Sequence, residues 1–131
     1  MKRILEILLI GLFVTGCKPT YRDYSEEHDR VFQGYATGDV VTARESLLED
    51  ERVITKYEMA RTSMDAKAAR RVLYARLCAV SLHMGLTNDA HTYFEKVTGL
   101  KEDTNVIAQA EVVAAIERSD HQLQPRWRQK K

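Results

Sequence analysis

The sequence predicts an all-α fold of antiparallel helical hairpins, and three observations carry that reading. Only two prolines occur, Pro19 and Pro125, so no residue between them lacks the backbone donor a helix needs. Apolar residues in that interval recur at three- and four-residue spacing, the period of a helix with one buried face. Alternating β-branched runs beside Asn-Gly or Asp-Gly turns, the marks of strands and hairpins, are absent. With 131 residues, 44% of them hydrophobic and 30% charged, the chain has material for one domain around one core.

Five helices are expected in order. The first covers about residues 25–37, with Val31, Phe32 and Tyr35 on one face, and residues 17–24 form a tether before it. Gly38-Asp39 ends it, and Asp39 caps the second helix by accepting from free backbone N–H groups. That helix covers about 40–61, with Ala43, Leu47, Ile54 and Tyr57 at helical spacing and an interruption at Asp50 and Glu51. Thr62 with Asp65 three residues on has the form of a capping box, placing the third helix from near 63 to 84. Its stripe, Ala66, Ala69, Leu73, Leu77, Val80 and Met84, is the cleanest in the chain. The fourth helix is expected over about 88–97 and the fifth over about 103–118. Gly38, Gly85 and Gly99 each follow a helical pattern, as residues that close helices in the left-handed conformation do. Residues 25–120 thus form the helical domain, and 121–131 have no pattern and form a flexible basic tail.

The first sixteen residues differ in kind. Lys2 and Arg3 are followed by an apolar run over 4–16, shorter than the roughly 20 residues a spanning helix needs. By composition alone this is a secretory signal or a short uncleaved anchor. The string Val14-Thr15-Gly16-Cys17 resembles the lipobox of bacterial lipoproteins, with Glu6 as the one departure in the run before it. The resemblance implies acylation of the Cys17 thiol, cleavage between Gly16 and Cys17, and a mature protein held to a membrane of the bacterial cell envelope by its lipids. Two or three acyl chains make a lasting tether. In Gram-negative lipoproteins an Asp after the lipidated Cys commonly retains the protein in the inner membrane. Lys18 stands there instead, which by resemblance favours the periplasmic face of the outer membrane if the host is Gram-negative. Cys78 is then the only thiol left, and is expected as a small buried hydrophobe.

Two hairpins also resemble the tetratricopeptide repeat. Tyr74, Leu77, Cys78, Gly85, Ala90, Phe94 and Val97 fall at that repeat's spacings, and Gly38-Asp39, Ala43 and Leu47 give a poorer match, departing at Gly34 and Asp50. The two turns lie 47 residues apart, against about 34 in the repeat. The resemblance implies an elongated two-repeat array capped by the fifth helix; a plain helical bundle with the same turns is the alternative.

No catalytic constellation emerges. His28, His83, His91 and His121 are scattered, and neither HExxH, CxxC, a Gly-rich phosphate loop nor GxSxG occurs, so no metal, cofactor or enzymatic activity is expected. Gly34 and Gly38 spell GxxxG outside the only apolar run and are read as part of a turn. Removing 1–16 takes Lys2, Arg3 and Glu6 from 20 basic and 19 acidic side chains, leaving the two equal; a mildly acidic body carries a basic end. That is no footprint for nucleic acid. The Glu49-Asp50-Glu51 run faces Lys67, Arg70, Arg71 and Arg76 across the expected second turn, suggesting Glu51–Arg76 and Glu58–Lys67 ion pairs. Alternatively, Asp50 and Glu51 line a concave groove that binds a peptide or protein. Arg126, Trp127, Arg128, Lys130 and Lys131 form either a solubilising end or a contact for anionic lipid or cell-wall polymer. The function expected is a membrane-anchored, non-enzymatic adaptor for an envelope protein. The alternatives are a structural lipoprotein that binds peptidoglycan or anionic lipid through its basic tail, and a secretion-system pilot.

Overall fold

A computed structural model describes residues 18–101, 103 and 105–129. The signal segment 1–16 with its cleavage residue Gly16, the lipidation residue Cys17, and Lys130 and Lys131 lie outside the described residues. The chain is all-α. Five helices, α1 (Tyr21–Thr37), α2 (Val40–Met59), α3 (Ala66–His83), α4 (Thr87–Gly99) and α5 (Gln109–Ser119), are followed by single 3₁₀ turns at His121–Leu123 and Arg126–Arg128, and no strand occurs among the described residues.

Local chemistry explains where the boundaries differ from expectation. The helix start expected near residue 25 moves to Tyr21, because Thr20 and Asp23 close a capping box: the Thr20 N–H donates to Asp23 Oδ2 at 2.8 Å and the Thr20 hydroxyl accepts from the Asp23 N–H. The similar pair at 62–65 is used differently. Asp65 itself caps α3, accepting from the Ala68 N–H at 3.0 Å, while the Thr62 hydroxyl donates back to the Tyr57 carbonyl. The turn after α2 is a Schellman motif with a non-glycine at its left-handed position: Arg61 has φ +56°, and Thr62 N–H reaches Tyr57 O. Gly85 (φ +77°) closes α3 in the same way. Gly38 and Gly99 do not. Gly38 is extended at φ −81°, and Gly99 is the last residue of α4. The fifth helix begins at Gln109 rather than near 103, because the Asp103 carboxylate accepts from the Asn105 N–H and holds a turn there.

Consecutive helices pack as neighbours, α1 on α2, α2 on α3 and α3 on α4, and α5 returns to lie on α3. Three partners cover α3, and its second half is buried nearly all round through Ala75, Leu77, Cys78, Ala79, Val80 and Ser81. The α1–α2 crossing is close because of glycine. A Cβ added at Gly34 would run into Ser46 Oγ, and one at Gly38 would come within 2.6 Å of the Gly34 carbonyl. The GxxxG spacing is thus a helix-crossing device as well as a turn.

Candidate functional site

α1 and α3 both rest on α2 and leave between them a cleft of about 340 Å³. One wall is made by Tyr21, Tyr24 and His28 of α1. These rings continue inward as a row with Phe32 and Tyr35, each three or four residues from the next, with centroids 5.9, 5.7, 5.4 and 5.1 Å apart. The opposite wall is α3, which offers Ala68, Ala69 and Val72. At the cleft is Asp50 from α2, only 3% exposed, its Oδ1 lying 2.7 Å from Nδ1 of His28. A carboxylate so deep needs that partner. Burial, followed by the nearby Asp50 charge, pushes the Tyr24 hydroxyl up to about 12.

Beyond Arg76, which lines the cleft, the segment after α5 packs onto α1 and α3. Asp120, at the end of α5, is buried; it accepts from the Tyr35 hydroxyl at 2.6 Å and from Nε and Nη2 of Arg76 at 2.9 Å each. The Arg76 guanidinium lies 4.6 Å from the Phe32 ring centroid and 5.3 Å from that of Tyr35. Burial and the Asp120 hydrogen bond raise the Tyr35 pKa far above its ordinary value, so the phenol remains a donor. One carboxylate thereby ties α1, α3 and α5 together. Trp127 packs beside this tie: it is 5% exposed, with its ring 5.9 Å from Tyr35 and 5.3 Å from His83.

This corrects the expectation for residues 121–131. Through Gln129 the segment is folded onto the domain rather than extended as a flexible tail, because Trp127 has an aromatic bed and Arg128 pairs with Glu117 at 3.3 Å while also donating to its carbonyl. Trp127 is buried and Arg128 partly buried in its pair with Glu117, while Arg126 is exposed. Asp50 and Glu51 part company. Asp50 faces the cleft, whereas Glu51 lies on another face beside Tyr74 and Lys96; burial first and the Glu51 carboxylate second push Tyr74 up to about 12. The expected ion pairs are exchanged as well: Arg76 is taken by Asp120, and Glu58 holds the fork of Arg70 at 2.8 and 2.9 Å. Cys78 is buried, and burial pushes its thiol up to about 11.

Among the described residues, no three His, Cys, Asp or Glu side chains converge as they would on a metal ion, and no helix is long and apolar enough to cross a membrane. Sequence reasoning missed Tyr21, Tyr24 and His28 as a set, although their spacing was visible once α1 was extended back to the Thr20 cap. Asp120 carried no signal, since its partners lie 44 and 85 residues away. No protein-family model matches the chain, and comparison with curated proteins and with solved structures finds no match.

Proposed function

We propose that this protein is a bacterial lipoprotein, anchored through acylated Cys17, that acts as a non-enzymatic adaptor and holds a segment of an envelope protein in the α1–α3 cleft. One observation carries the reading: the solvent-open cleft is walled by Tyr21 and Tyr24 in the first turn of α1, four and seven residues from Cys17. An anchored protein meets its partner at high local concentration, so a shallow cleft of modest affinity suffices. The wall combines aromatic faces, small aliphatic residues and a buried carboxylate, a surface that accepts a peptide side chain without reacting with it. Tetratricopeptide-like hairpins offer the inner faces of their first helices in the same manner, which fits a cleft between α1 and α3.

The test is photo-crosslinking in native membranes. A crosslinker at Val72, in the cleft, should capture one envelope protein that the same crosslinker at Thr92, exposed on α4, does not. Identical capture at both positions, or none at Val72, refutes the adaptor. Palmitate incorporation that disappears in Cys17→Ser tests the anchor separately.

A further inference from the structure

We infer that Tyr21, Met59 and Val106, with Lys18 and Arg61, form a contact surface for the anionic headgroup layer of the membrane, fixing the domain end-on. This rests on the lipidation of Cys17 proposed above.

The placement follows from topology. α1 starts at this end, α2 finishes there, α3 starts there and α4 finishes there, so the 60–65 and 100–108 connections both lie beside the N-terminus. Side chains confirm the continuity: Lys18 and Pro19 share a cleft with Lys56 and Tyr57, and Lys56 shares another with Met59 and Lys96. The large apolar side chains here are unusually bare, with Val106 97%, Met59 78% and Tyr21 54% exposed. Tyr is suited to the interface, where its ring is apolar and its hydroxyl wet.

The charges point the same way. Among the described residues, the neighbouring Asp23 and Asp65 cap helices, Glu26 pairs with Arg22, Glu27 with Lys56, Glu58 with Arg70 and Asp103 with Lys101. Lys18 and Arg61 are exposed and neither forms an ion pair among the described residues, Lys18 sharing its cleft with Asp23, Glu26 and Glu27, each already taken by a helix end or a cation. Arg61 is held outward by the left-handed turn after α2. Chain length then fixes the distance. Four residues from Cys17 to Tyr21 span at most about 14 Å, so an acylated Cys17 brings the first turn of α1 against the headgroups. The opposite end, with Trp127, points away.

The sole Trp makes the test direct. The full processed protein, with Met59→Trp or separately Val106→Trp, is reconstituted in vesicles of phosphatidylethanolamine and phosphatidylglycerol carrying brominated acyl chains, which quench nearby indoles. The added emission at positions 59 and 106 should be largely lost, while native Trp127 emission is unchanged. Adding Arg61→Glu, or omitting phosphatidylglycerol, should weaken the contact about fivefold per cation and return emission toward its unbrominated level. Unquenched emission at both positions, or equal quenching of Trp127, overturns the end-on contact. Palmitate incorporation into the same sample reports on the anchor independently, so an acylated but unquenched protein sinks this inference and leaves the lipoprotein reading standing.

Discussion

Asp120→Asn is the sharpest probe of how this domain is held together. The change keeps shape but removes the charge that answers Arg76, and it turns one acceptor oxygen into a donor facing a guanidinium or the Tyr35 hydroxyl. Breaking a buried pair by removing one partner costs about 3–5 kcal/mol, whereas an exposed pair contributes about 0–1 kcal/mol. The Asp120 side chain is 2% exposed and that of Arg76 15%, so the loss should fall toward the buried limit, at about 2–4 kcal/mol. Against a total of about 5–15 kcal/mol for a domain, that lowers the melting temperature by roughly 10 °C or more. Urea unfolding followed by far-ultraviolet circular dichroism and by Trp127 fluorescence measures it, and Trp127 doubles as a local reporter because it packs on Tyr35. The double variant Asp120→Asn/Arg76→Met should recover more than half of the loss, since no orphaned charge remains. A loss below about 0.5 kcal/mol, or strict additivity in the double variant, would refute the account of Asp120 as the tie between α1, α3 and α5.

Other consequences are as direct. Gly34→Ala should destabilise by about 1–3 kcal/mol, since its Cβ enters the space of Ser46, and Gly34→Ala/Ser46→Gly should regain part of that in a thermal melt. The Cys78 thiol, buried and raised to about 11, should resist alkylation in the native protein and react at once in denaturant. The Tyr57 hydroxyl, and after it Lys56, holds the Glu27 carboxyl below its ordinary value. A depressed folded-state pKa gives stability that is present above the unfolded value and is lost as pH falls through the folded one. Glu27→Gln should therefore be less stable than the parent near neutral pH, with the difference closing below about pH 4 in acid titrations followed by circular dichroism.

Helical periodicity made the fold legible because a one-sided stripe and a glycine after it are local properties. Leu73, Leu77 and Val80 declare the buried face of α3 without reference to any other helix. Caps were legible in kind but not in place: Thr-x-x-Asp occurs at 20–23 and at 62–65, and only the first closes a full capping box. Pairing was not legible. Arg76 had several carboxylates within reach of a drawn hairpin, and nothing in the local sequence favours one 44 residues on. Trp127 illustrates the same limit: among arginines and lysines with no periodicity it has the composition of a loose end, and only the shelf made by Tyr35 and His83 turns it into core. The interruption at Asp50 was visible, but its meaning depended on His28, one residue type among many on another helix.

The bond between Tyr35 and Asp120 joins positions 85 residues apart in the chain. The bond closes a loop over most of the described chain, a long-range link whose entropic cost falls once neighbouring helices have docked. α1 keeps its main support from α2, so losing the bond would loosen the turn around Trp127 before it frees α1.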